Sequence, residues 1–162
     1  MRGIRQGQGF TLIEILIVLT LLAIFSAIAI PGFNRLIDSN RTRSAADELR
    51  GLLQYARGYA VENRTNAWVC MQDGELSVRT NCAGGGQTLR VMGGQGVSIR
   101  AEVDDYQFHS NGASSGIANY IVCANEHPET GFTVGIQRSG QVQLYPRGQK
   151  EGGVAMNECA FQ

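Results

Sequence analysis

The sequence predicts an α+β fold in which one long N-terminal helix packs on a small, antiparallel, β-rich head. Three observations carry that expectation. An apolar run extends from Phe10 to Ile30, broken only by Glu14 among charged residues. Apolar residues then recur at spacings of three and four as far as Asn63. After Arg64 the period drops to two, with glycine clusters between the runs.

The first run sets the organisation of the chain. About 21 helical residues span about 31 Å, the thickness of a bilayer's hydrocarbon core, so the run reads as a transmembrane helix. The polar leader, Met1 to Gln8, carries Arg2 and Arg5. Basic residues flank the cytoplasmic end of a span, which places the start of the run on the cytoplasmic side. An ordinary secretory signal is cut after its apolar segment. Here the small residues Gly7 and Gly9 come before it, and Ala27-Ile28-Ala29 is soon followed by Pro31. Glu14 is costly in lipid and marks function. A cut between Gly9 and Phe10 would create an amino terminus four residues before Glu14, on the same helix face, where cation and carboxylate pair within or between chains.

Beyond Pro31, which should bend the helix, Leu36, Ile37, Ala45, Leu49, Leu52, Leu53, Ala56 and Ala60 form one apolar stripe. The β-rich remainder is the surface that would bury it. Arg43, Arg50, Arg57 and Arg64 recur every seventh residue. They read either as a docking strip for phosphate or an acidic neighbour, or as a solvated face offset by Asp47, Glu48 and Glu62.

Short strands are expected at residues 67–71, 76–78, 88–92, 97–101, 120–123, 132–136 and 142–145, with hairpin turns at Asp73-Gly74 and Ser139-Gly140. The 21 glycines exceed the usual share of about 7%, which fits a turn-rich head. The formal net charge is zero, so no bulk attraction to nucleic acid is expected.

Cys70, Cys82, Cys123 and Cys159 all follow the apolar run and would face an oxidising compartment. Three pairings are possible. The preferred one joins Cys70 to Cys82 across a strand-loop-strand and Cys123 to Cys159, tying the tail to a core strand. A zinc site using Cys123 and His127 is the rival, and it lacks a second close-spaced ligand pair. Nothing points to catalysis or to a cofactor. The two histidines, His109 and His127, lie in no nucleophile or metal motif. Asp104 and Asp105 are adjacent and read as a surface turn, because neighbours on a strand face opposite sides.

Gly9-Phe10-Thr11-Leu12-Ile13-Glu14, followed by apolar residues to Ile30 and Pro31, resembles the prepilin signature of type IV pilins and type II secretion pseudopilins. That resemblance implies cleavage after Gly9 by a prepilin peptidase and N-methylation of Phe10. It also implies a fibre-assembly contact at Glu14 and a helix kink at Pro31. The domain boundaries follow as a leader at 1–9, a transmembrane segment at 10–31, an amphipathic continuation at 32–64 and a head at 65–162. Phe108-His109-Ser110-Asn111-Gly112, Ile121-Val122-Cys123 and Gly135 through Val142 resemble the head of the GspH/FimT group. The group implies a minor pilin that meets other minor pilins and the major pilin and helps to start a type IV pilus at its tip. An H-type minor pseudopilin of a type II secretion system is the alternative. A third reading is DNA binding. Some FimT-type members use a C-terminal Gly-Arg-x-Arg, whereas Gly140-Gln141-Val142-Gln143 here carries neither arginine and leaves Arg138, Arg147 and Lys150 nearby.

Overall fold

The computed structural model describes residues 11–93 and 96–161. Helix α1 runs Leu12–Glu62, 51 residues. By their contacts the residues divide into two units, Met1–Ile37 and Asp38–Gln162, and α1 contributes to both.

In the first unit the large apolar side chains from Leu12 to Phe25 are 49–78% exposed. Position 31, where a bend is expected, lies within α1, and the side chains of Ile28, Ile30 and Pro31 are outside the described residues. Among the described residues, no helix is long and apolar enough to cross a membrane. The described apolar stretch, Leu12 to Ala27, is about 24 Å of helix against a core of about 30 Å.

Among the described residues, the second unit holds the rest of α1 and eight strands. They are β1 (Ala67–Gln72), β2 (Glu75–Arg79), β3 (Thr88–Val91), β4 (Ser98–Ala101), β5 (Asp105–Phe108), β6 (Ala118–Cys123), β7 (Phe132–Ile136) and β8 (Val142–Leu144). They form two four-stranded antiparallel sheets, ordered β3-β2-β1-β5 and β4-β6-β7-β8. The helical stripe is buried where expected at Ala45, Leu49, Leu52, Leu53, Ala56 and Ala60. It shares one core with Val69, Val78 and Phe108 of the first sheet and Tyr120, Val122, Val134 and Ile136 of the second. Leu36 and Ile37, expected in the stripe, belong to the first unit and are exposed.

Asp73 and Gly74 both have positive φ, 52° and 78°, the conformation of the two-residue hairpin turn their sequence signals. The expectation that Asp104-Asp105 is a surface turn needs correction at Asp105, which opens β5 and pairs with Cys70 of β1. The acidic pair masks a real alternation, because Tyr106 and Phe108 behind it are buried in the core.

Strand β6 is covered on both faces. Ala118, Tyr120 and Val122 enter the main core. Ile121 and Cys123 point the other way and pack with Met156 and Cys159 of the tail, against which Phe161 also lies. Both preferred disulfides form. Cys70–Cys82 ties β1 to the loop after β2, and Cys123–Cys159 ties β6 to the tail, with Cα separations of 5.6 and 6.1 Å. The second bond engages the sulfur that the rival zinc site would need. The closed loops are 12 and 36 residues in sequence separation, so chain entropy predicts losses of about 3 and about 4 kcal/mol when each bond is removed. Chemical unfolding of paired Cys→Ser variants checks the order. Alkylation of the oxidised protein should label no cysteine.

The C-terminus of α1 is closed by Arg64 in the left-handed region, φ 51°. The Thr65 N–H donates to Ala60 O at 3.1 Å and the Arg64 N–H to Val61 O at 3.3 Å, the two bonds of a Schellman cap. Glycine takes this backbone shape without a Cβ penalty. Arg64→Gly should therefore stabilise the fold by about 1 kcal/mol, read as a higher thermal midpoint.

Candidate functional site

Two regions carry the residues that the sequence singles out. The first is the start of α1. Gly9 and Phe10, the expected cleavage and methylation positions, lie outside the described residues. Thr11 is the residue before the helix, and its Oγ1 accepts a hydrogen bond from the Glu14 N–H at 3.3 Å. Thr11-x-x-Glu14 thus has the spacing of a capping box, with the carboxylate in the first turn, where the helix dipole favours an anion. Thr11 was not singled out in the sequence, although its spacing to Glu14 is the signal that finds it. Glu14 is exposed, as are Ile13, Ile15 and the apolar residues beyond it. Its carboxylate is therefore accessible on a helix whose apolar side chains are exposed.

The second region is in the head, where Phe108 through Gly112 and Gly135 through Val142 meet α1. Gly112 and Gly140 have φ of 81° and 77°, and both close tight turns. The Gly112 N–H donates to His109 O and the Gly140 N–H to Gln137 O, each at 2.8 Å. Arg57 reaches across from the helix. Its Nε donates to Gly112 O at 3.0 Å and its Nη2 to Ser139 O at 3.4 Å. A Cβ on Gly140 would collide with Gly112 O and approach Arg57 Nε at 3.0 Å. The glycines are needed here because the two turns and the guanidinium share one crowded junction. A buried hydroxyl reinforces it, with Ser114 Oγ donating to Gln137 O at 2.8 Å. His109 contributes a backbone carbonyl to this junction.

The arginine row is therefore not a uniform strip. Arg57 is the clasp and Arg64 the helix cap. Arg43 pairs with Asp47 at 2.9 Å and lies 5.4 Å from the centroid of the Phe132 ring. Arg50 is exposed. The candidate nucleic-acid contacts are dispersed as well. Arg138 is in the turn clasped by Arg57, whereas Arg147 donates to Ser39 Oγ at 3.3 Å. Ser39 and Arg57 are eighteen residues apart on α1, about 27 Å along the axis, so these two cations do not form one patch. Lys150 lies at the start of the 3₁₀ turn Glu151–Gly153. His127 sits 3.4 Å from Glu129.

Replacing Arg57 with Ala should cost about 1 kcal/mol, since its partners are partly reached by water. Gly140→Ala should cost more, because strain at positive φ adds to the collision with Gly112. Urea midpoints of the two variants test that order.

The comparisons with known proteins agree with this arrangement. Residues 4–30 match the prokaryotic N-terminal methylation motif. Residues 45–148 match the family of the type II transport protein GspH. A relative, the type II secretion system protein H of Xanthomonas campestris pv. campestris, is 28% identical over 148 residues, covering 86% of each chain. Among solved structures, the type IV minor pilin FimU of Pseudomonas aeruginosa is similar with a TM-score of 0.62 at 26% identity, over 73% of this chain and 99% of that one. The minor pseudopilin EpsH of the Vibrio cholerae type 2 secretion system shares the fold, with a TM-score of 0.54 at 13% identity, over 67% of this chain and 99% of that one. The match across residues 45–148 spans more than half of the sequence, and the chain belongs to the pilin-like GspH family.

Proposed function

We propose that this chain is a minor pilin, an assembly subunit of a type IV pilus with no chemistry of its own, which helps to start the fibre at its tip. The observation that carries the reading is the methylation motif at residues 4–30, continuous with a helix whose apolar side chains are exposed. An apolar surface of that extent needs lipid or neighbouring helices to cover it. Before assembly the subunit is held in the inner membrane by the apolar run, with its head in the periplasm, where the two disulfides persist. Prepilin peptidase cuts after Gly9 and methylates Phe10. In the fibre, the Phe10 amino terminus pairs with a Glu14 carboxylate, and the apolar helices of other minor pilins and the major pilin replace the lipid.

A second reading, an H-type pseudopilin of a type II secretion system, is favoured by the match to GspH and by the Xanthomonas relative. The likeness to FimU, stronger than that to EpsH in both TM-score and identity, supports the pilus over the secretion system. DNA uptake is the weakest alternative, since Arg138 and Arg147 occupy separate ends of the head.

The test concerns Glu14. In Glu14→Ala and Glu14→Gln strains the protein should accumulate in the membrane and still be cut after Gly9, giving a mature chain that starts at methylated Phe10 by mass spectrometry. Sheared fibres should contain little of either variant, because an unpaired charge between packed helices is strongly disfavoured. Wild-type amounts of the variants in the fibre would remove Glu14 as the assembly contact.

A further inference from the structure

The turn after β5 holds the chain's one Asn-Gly step, Asn111-Gly112, and every other asparagine precedes a residue with a side chain. A glycine in that place offers no Cβ to hinder closure of a five-membered ring between its own nitrogen and the preceding side-chain amide. The reaction needs only water. The Gly112 nitrogen gives its proton to hydroxide and bonds to Asn111 Cγ. The Cγ–Nδ2 bond breaks, and ammonia leaves a succinimide behind. Water then opens the ring at either carbonyl, so residue 111 becomes aspartate or isoaspartate.

The fold exposes one reacting group and locks the other. Asn111 is exposed and lines an open groove of about 680 Å³ with Gln54, Arg57 and Gln141, so water reaches its amide. Gly112 is buried, and its N–H donates to His109 O at 2.8 Å. Asn111 Oδ1 accepts from the Ala113 N–H at 3.0 Å, which holds the side chain over the turn. Ring closure requires the bond to His109 O to break, since the nitrogen must lose its proton and turn onto Cγ. Within the turn, the His109 N–H also donates to Ala113 O at 2.8 Å. From the helix, Arg57 Nε donates to Gly112 O at 3.0 Å and so fixes the residue that carries the reacting nitrogen.

We propose that Asn111 is a site of self-modification guarded by Arg57: the head deamidates there when the clasp opens, and the clasp sets the rate. Isoaspartate adds a carbon to the main chain of the turn and moves Gly112 O away from the guanidinium, so the change keeps the clasp open. The proposal needs no partner chain and stands apart from the assembly reading. The test follows the purified full chain in detergent micelles at mildly alkaline pH. Peptide mass spectrometry reads conversion at each asparagine, and enzymatic methylation counts isoaspartate. In the folded chain Asn111 should convert before any other asparagine. Arg57→Ala should speed that conversion about fivefold, the rise in open population expected when the clasp's hydrogen bonds are lost. Urea well below the unfolding midpoint should leave the rate nearly unchanged, because opening one turn exposes little surface. An unchanged rate in Arg57→Ala, earlier conversion at another asparagine, or a rate that climbs with urea in step with global unfolding would each overturn the inference.

Discussion

Burial of the second half of α1 is the constraint on which the head depends. Leu49, Leu52 and Leu53 are almost completely buried, and each contributes roughly 1.5–3 kcal/mol by leaving water. The small residues Ala45, Ala56 and Ala60 on the same stripe let strands approach the helix closely. The inner faces of both four-stranded sheets contribute to a core that includes this helix. The sheets are therefore organised by the helix as much as by their own ladders.

Around that apolar contact, polar groups fix geometry. The helix presents Arg57 at the point where two glycine turns converge, one before β6 and one between β7 and β8. Arg57 gives two carbonyls a charged donor, and the glycines give it room. The family-like motifs of the head thus describe a structural junction. At the other end of α1, Thr11 and Glu14 occupy capping positions on a helix whose apolar surface is uncovered.

The second sheet is covered twice, by the helix on one face and by the tail on the other. Cys123 anchors the tail, and Gly131 lets it approach, since a Cβ there would sit 2.9 Å from both Cys123 Sγ and Met156 Sδ. Its inner residues are apolar apart from the Tyr120 hydroxyl, which is buried in the core without a hydrogen-bond partner among the described residues. Burial pushes the Tyr120 phenol well above its ordinary ionisation range, so the group stays neutral in the core. On the outer face, Asn119 Oδ1 and Thr133 Oγ1 are among the buried polar atoms without a protein partner.

Periodicity alone determined the long helix, the switch to strands after Arg64, the Asp73-Gly74 turn and the apolar stripe from Ala45 onward. These are local signals, since side-chain alternation and turn propensity depend on near neighbours. The disulfide pairing was preferred from the sequence and was settled only when β1 and β6 had partners in space. Strand β5 escaped notice because its acidic start resembles a turn, and its pairing partner, β1, lies more than thirty residues away. The heptad of arginines looked like one surface feature. Tertiary structure divided it into a clasp at Arg57, a cap at Arg64, an ion pair at Arg43 and an exposed Arg50, because each meets a different part of the chain. Pairing of residues distant in sequence is invisible to local pattern, and it is there that Arg57 found its carbonyls.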